Sequence, residues 1–282
     1  MLCLCLAILC STLVSVVMRV GSSGQEARKP MLAVNYLTCA AVSLCFLRGG
    51  PVPKGSGAGV ALGMGLAGGV LYLGAFLLLQ RNVRESGVTL SSAFMTLGVI
   101  VPTLLGFAVF GERAGWTRIA GIGLTLAAIL VLAGGQEAPS GRSAGAGKLS
   151  ALVLLMLWGG MADGLSKFYE AWGDPALEGH FLCCVFTCAL VLCAGLCAAQ
   201  RQRPRGKDWL FGLMLGVPNY FSSRFLLLAL SQVPASAAFP VFSCGTLLLT
   251  ALVGRLAFGE RTGPRQKLAL VMVTAALVLL NV

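Results

Sequence analysis

Ten apolar runs follow one another through this chain with only short polar breaks between them. Apolar runs of about 18 or more residues are long enough to cross a bilayer as helices. The ten are Leu2–Val20, Pro30–Leu47, Gly57–Leu79, Ser86–Phe110, Gly115–Ala133, Leu149–Phe168, Ala176–Ala199, Trp209–Leu230, Ala235–Phe258 and Gln266–Asn281. Charged residues make up 11% of the sequence, against about 25% in a soluble domain. Hydrophobic residues make up 57%, more than a soluble core can hide, so the bilayer is the expected solvent. Backbone groups in lipid must pair within their own segment, which makes each span a helix. A β-barrel would show alternating residues and weaker apolar runs. The expected fold class is therefore an all-α integral membrane protein with ten transmembrane helices.

Little sequence lies outside these runs. There is no Gly-rich phosphate-binding loop ending in Lys and no metalloprotease helix motif, so an ATP-driven pump would need a partner chain. Leu2–Val20 lacks a basic leader and a small-residue cleavage site, and is expected to remain as a helix.

The tripeptide Gly-Glu-Arg occurs twice, as Gly111-Glu112-Arg113 and Gly259-Glu260-Arg261, an offset of 148 residues. At that offset Phe94 meets Phe242, Gly106 meets Gly254, Phe110 meets Phe258, Gly115 meets Gly263 and Arg19 meets Lys167. Residues 135–147 are rich in Gly, Ser and Ala and read as a linker. They divide the chain into two five-helix halves, 1–134 and 148–282. A second copy of an odd-span unit enters the membrane from the opposite side, so the expected fold is a pair of inverted repeats.

The net charge is +11, and the basic residues lie mostly between spans, as topology determinants do. No nucleic-acid partner is expected. Arg201, Arg203, Arg205 and Lys207 read as a topology anchor in reach of anionic lipid. The 11 cysteines fall inside apolar runs, where cysteine behaves as a small hydrophobe. Packing is favoured over a metal site, and no metal or cofactor is expected. Gly57, Ala61, Gly65 and Gly69 recur every four residues, with Gly59 and Gly63 on a neighbouring ridge. Such stripes let helix backbones approach closely.

Charge within a span costs about 2.5 to 3.5 kcal/mol on insertion scales and needs a reason. Asp163 and Lys167 sit four apart on one face of the sixth span, placed to pair with each other. A carboxylate there can also carry a proton. Arg224 lies about seven residues from the end of its span, too deep to reach the interface easily. Asn219, Tyr220, Ser223 and Arg224 form one polar stripe, expected to face a wet cavity. An Arg in that place suits a carboxylate or phosphate on a solute. Asn35, Tyr36 and Tyr72 are further binding candidates. Glu112, Arg113, Glu260 and Arg261 read as structural corners. Pro102 and Pro240 read as hinges that free backbone carbonyls at membrane depth. No nucleophile, base and oxyanion set is present, so an enzyme is not expected.

Ten short-looped spans, two five-helix halves and a Gly-Glu-Arg after the fourth helix of each half resemble the drug/metabolite transporter superfamily, in its EamA branch. The stretch Ala235–Asn281 is similar to that family's second-half signature, with Ala235-Ser236-Ala237-Ala238-Phe239-Pro240 leading to Gly259-Glu260-Arg261. Trp158-Gly159-Gly160 and Asn35-Tyr36 also fit. The resemblance implies a basket-shaped bundle with a central cavity and alternating access, moving small metabolites, amino acids or drugs without ATP. It also implies both termini in the cytoplasm. Here loops after odd-numbered spans hold 14 Lys/Arg and those after even-numbered spans hold 5, which by the positive-inside rule puts the termini outside.

The expected function is a secondary carrier or facilitator, an exporter of small metabolites such as amino acids or related solutes, in a bacterial cytoplasmic membrane. The expected partners are the lipid bilayer and a small-molecule substrate, with a homodimer as a further expectation. The alternatives are a proton-coupled multidrug exporter working through Asp163 and a non-transporting membrane scaffold.

Overall fold

A computed structural model describes residues 1–22, 29–47, 50, 52–86, 88–112, 115–133, 146–258 and 263–281. All regular structure among the described residues is helical. The elements are α1 (Leu2–Ser22), α2 (Lys29–Leu44), α3 (Ala58–Ser86), α4 (Val88–Leu97), α5 (Ile100–Ala108), α6 (Trp116–Ala133), α7 (Ala146–Trp172), α8 (Glu178–Ala199), α9 (Gly206–Leu230), α10 (Ala235–Phe258) and α11 (Pro264–Asn281). A short 3-10 turn, Pro175–Leu177, joins α7 to α8. Among the described residues six helices are long and apolar enough to cross a membrane: those containing Leu2–Gly21, Ala58–Ser86, Lys148–Trp172, Pro175–Ala199, Gly206–Leu230 and Ala235–Ala257. Three shorter apolar helical stretches, Phe94–Ala108, Ile119–Val131 and Lys267–Ala276, accompany them.

Two expectations about span limits are corrected. The run Ser86–Phe110 is not one helix but two, α4 and α5, broken at Gly98 and Val99. Pro102 is the physical reason: it has no N–H to offer the Gly98 carbonyl four residues back. Val101 N–H takes that carbonyl instead at 2.9 Å, and Val99 N–H bonds the Thr96 carbonyl at 3.2 Å, both in the tighter i to i+3 pattern. Pro240 also lies inside a helix, yet α10 runs through it unbroken. The second correction concerns α3, which continues past Leu79 to Ser86 and so takes Asn82 into a fully buried position.

The chain packs as two compact units. The first contains Met1–Leu73 and Leu165–Ser231, the second Gly74–Gly164 and Gln232–Val282. Each therefore draws residues from both sides of the segment 135–147.

In the first unit α1 and α2 pack on α9, and α2 also packs on α8. Glycines set the spacing. A Cβ on Gly65 would lie 2.5 Å from Cys184 Cβ, and one on Gly69 2.5 Å from Cys188 Cβ. The thiols of Cys184 and Cys188 reach the Leu62 and Leu66 carbonyls at 3.5 and 3.6 Å. These two cysteines thus fill the space that the α3 glycines leave. Gly59 and Gly63 face open space, with nothing within 4 Å of an added Cβ. On α9 the same device recurs: a Cβ on Gly212 would lie 2.6 Å from Val34 Cβ, and one on Gly216 would strike Thr38 Cβ, both on α2. The third helix of each half thus lays glycines four apart against the second helix of the other half.

In the second unit α6 packs on α11 and α5 on α10. A small core of Ala128, Cys244, Ala269 and Val273 joins them, and Thr125 Oγ1 meets Cys244 Sγ at 3.4 Å. The α4–α5 break crosses α7 at glycines. A Cβ on Gly160 would strike the Gly98 carbonyl and sit 2.6 Å from Val101 Cβ. Gly111 ends the α5 segment in the left-handed region, φ +63°, a conformation cheap only for glycine. The turn lets Glu112 N–H return to the Gly106 carbonyl at 3.0 Å. Arg113, Glu260, Arg261 and linker residues 135–145 lie outside the described residues.

Candidate functional site

Arg224 occupies α9 in the first unit, half-buried. Its guanidinium lies over the Phe46 ring, 4.1 Å from the centroid, and its NH1 donates to the Tyr220 hydroxyl at 3.0 Å. A cation over an aromatic face is attracted by the ring quadrupole, by about 2 kcal/mol when desolvated. Among the described residues no carboxylate pairs with this guanidinium. The site therefore holds a positive charge inside an apolar helix, oriented by two aromatic side chains and with no carboxylate partner among the described residues.

The local chain explains the arrangement. Helix α2 stops at Leu44, and Cys45, Phe46 and Leu47 continue in tight i to i+3 turns, which delivers the Phe46 ring to α9. Tyr220 is one helical turn before Arg224, so its hydroxyl falls within reach. Its ring is fully buried. It stacks on Phe46 at 5.6 Å, meets Phe221 edge-on at 5.4 Å and lies 6.1 Å from Phe186. Tyr220 thus serves as a fixed support for Arg224 with no face left for a solute. Tyr72 touches the same cluster through Phe186, at 6.3 Å and near-perpendicular.

The same turn of α9 also carries the amide pair. Asn219 Nδ2 donates to Asn35 Oδ1 at 3.3 Å, and Ser223 Oγ donates to the Asn219 carbonyl at 3.3 Å. Asn35 is buried, as is Tyr36 beside it. Cys39 donates to the Gly216 carbonyl at 3.2 Å, under the close approach of α2 and α9. Asn219 and Ser223 are partly exposed, so the stripe read on α9 is half structural and half accessible.

Asp163 belongs to the second unit, where it is exposed on α7. It does not pair with Lys167. The Lys167 ammonium bonds Glu170 Oε2 at 2.6 Å, three residues on, and no hydrogen bond or ion pair to Asp163 is present among the described residues. The i+3 partner wins because Glu170 lies nearer the helix end, where Lys167 can reach it while leaving the span.

Glu112 is also placed by the second unit. Its two carboxylate oxygens accept the N–H groups of Ala235 and Ser236, each at 2.8 Å, at the start of α10. Glu112 follows the C-terminal end of α5. Its charge is offset by the positive end of another helix.

Phe46, Phe186 and Asn82 were not singled out in the sequence. Phe46 lies at the edge of an apolar run, where nothing marks an aromatic as an Arg partner. Asn82 donates to the Leu78 and Ala151 carbonyls at 2.9 and 3.3 Å. A polar residue followed by Arg84 reads as a loop, and only the extension of α3 buries it.

Comparison with known proteins agrees with the helical, two-repeat design. The model of the EamA-like transporter family matches residues 1–134 and again 145–282. An uncharacterized protein of Haemophilus influenzae (strain Rd) is 26% identical over 286 residues, covering 96% of this chain and 94% of that protein. A crystal structure of a protein superposes with a TM-score of 0.78 at 16% identity, covering 100% of this chain and 97% of that one. At that identity the likeness shows the fold. With both halves matched by the same family model and six helices able to span a bilayer, the chain is an integral membrane protein that belongs to the EamA-like transporter family, within the drug/metabolite transporter superfamily.

Proposed function

We propose that this protein is a secondary carrier for small metabolites bearing a carboxylate or phosphate, amino acids and related solutes among them, and that Arg224 takes the anionic group. The observation behind this reading is the guanidinium of Arg224, half-buried in α9, held by Tyr220 and Phe46 and without a carboxylate partner among the described residues. A buried charge without a partner is costly, and a solute anion that visits the site removes that cost. Bidentate geometry makes Arg well suited to such groups. Asn219 and Ser223, partly exposed on the same helix, supply polar groups for the rest of the solute.

The reading extends to ten membrane spans in two inverted halves, with α4 and α5 together making the fourth. Inverted repeats provide alternating access by rocking around one site. Asp163, exposed on α7 and with no ion pair among the described residues, is the group through which a proton would couple to export. A bacterial cytoplasmic membrane is the setting such a carrier fits.

Ligand-dependent thermal unfolding tests the binding step. A ligand specific to the native state stabilises it by about 2.7 kcal/mol at one hundred times its dissociation constant. Within a metabolite panel, carboxylate- or phosphate-bearing solutes should raise the unfolding temperature of the wild type and not of Arg224→Ala. Equal shifts in both proteins would refute the role of Arg224.

A further inference from the structure

From the end of α8 and the neighbouring face of α2 we infer a second binding site, for an anionic glycerophospholipid. A groove of about 670 Å³ runs along the first unit there, within the range of about 300–1,000 Å³ usual for ligand sites. Its walls are apolar: Ala33, Val34 and Leu37 from α2, and Leu190 and Ala194 from α8. Its end is basic and aromatic, formed by Arg201, Arg203 and Trp209. From Pro30 to Leu37 the groove follows α2 for roughly 10 Å, a length that takes part of an acyl chain. The exposed Leu37 and Trp209 leave it open along its side.

Charge complementarity selects the occupant. Arg201 and Arg203 are exposed, and neither has a carboxylate partner among the described residues. The neighbouring cation Lys29 bonds a neutral group, Gln200 Oε1, at 2.9 Å. The carboxylate at this end, Asp208, is buried and turned into the first turn of α9, where it accepts Arg205 N–H at 2.8 Å. It is therefore not presented to the groove. Basic pockets between membrane helices recognise anionic headgroups, and a Trp at the same level sits where membrane proteins place their interfacial aromatics.

The backbone at Arg201 points the same way. Helix α8 ends in a reverse turn with Gln202 N–H on the Cys197 carbonyl at 2.8 Å and Arg201 N–H on the Ala198 carbonyl at 3.0 Å. That turn demands a left-handed residue, normally glycine, and Arg201 adopts it at φ +52°. A non-glycine residue is strained there. The chain accepts this strain and places a guanidinium at the mouth of an apolar groove.

The test uses the full-length protein in a neutral detergent, with thermal unfolding as the readout. Phosphatidylglycerol should raise the unfolding temperature several degrees more than phosphatidylcholine. Arg201→Gly should unfold no lower than the wild type in phosphatidylcholine, because glycine relieves the turn, yet should lose the extra shift with phosphatidylglycerol. Arg203→Ala should lose it too. Ala194→Phe, which fills the groove and keeps both guanidiniums, should also lose it. The inference is overturned if phosphatidylglycerol and phosphatidylcholine act alike on the wild type. It is equally overturned if Ala194→Phe keeps the full shift, or if glycerol phosphate without acyl chains reproduces it.

Discussion

Glu112 closes a helix that begins far along the chain: its carboxylate accepts the Ser236 N–H at 2.8 Å across 124 residues of sequence. The first N–H groups of any helix lack partners within it. Pro234, just before α10, has no side-chain oxygen to offer, and Glu112 supplies two. Gly106 makes room, since a Cβ there would lie 2.7 Å from Glu112 Oε2. Hydrogen bonds to a charged group contribute about 1.5–3 kcal/mol each. Glu112→Ala is expected to lower stability by about 2–4 kcal/mol, and Glu112→Gln by less, as read from thermal unfolding in detergent. An unchanged unfolding temperature in Glu112→Ala would show the cap to be dispensable.

The α3 glycines should divide sharply by face. Gly65→Val and Gly69→Val drive side chains into Cys184 and Cys188, and overpacking of this kind costs about 1–3 kcal/mol or more. Gly63→Ala meets nothing within 4 Å and should be neutral or stabilising by up to about 1 kcal/mol from helix propensity. A chemical-denaturation series in detergent distinguishes the faces, and equal losses at positions 63 and 65 would contradict the packing described.

On the proposed reading, Phe46 bears on affinity more than on fold. Replacing it with Leu keeps an apolar side chain against Tyr220 but removes the ring under Arg224. The cation–π contribution lost is about 1–2 kcal/mol. The freed guanidinium then pays more to stay ordered, so KM for an anionic solute should rise roughly five- to thirtyfold, at the rate of tenfold per 1.4 kcal/mol. An unchanged KM would mean that the ring does not orient the binding group.

On the proposed reading, Asp163 separates coupling from exchange. With Asn in its place, flux driven by a pH gradient across proteoliposomes should fall to the level of empty liposomes. Exchange of labelled for unlabelled solute with no gradient should persist. Gradient-driven flux that survives Asp163→Asn would remove this residue from proton coupling.

How much of this was legible in the sequence follows from the range of each signal. Apolar runs are local, and they gave helices close to the observed limits, from Leu2–Ser22 to Pro264–Asn281. The glycine stripe on α3 was half legible: spacing defines the faces, but Gly65 and Gly69 pack on α8 while Gly59 and Gly63, at the same spacing, face open space. Arg224 and Tyr220 were found together because they lie one turn apart. The α4–α5 break was only half visible: Pro102 marks the helix, but the break falls four residues earlier, at the carbonyl that loses its donor. The pairings of Arg224 with Phe46, Glu112 with Ser236 and Asn35 with Asn219 join distant parts of the chain, and no local pattern encodes them. The Asp163–Lys167 pairing that the spacing allows is not formed, because spacing on one helix face does not reveal a competing Glu170.

The most direct measurement is solute counterflow in proteoliposomes with carboxylate- and phosphate-bearing metabolites. Wild-type protein should exchange at least one of them, Arg224→Lys should retain part of that rate, and Arg224→Ala should exchange none above empty liposomes. Arg224→Ala exchanging at the wild-type rate, or wild-type protein moving no member of a broad anionic panel, would contradict a carrier built around this guanidinium.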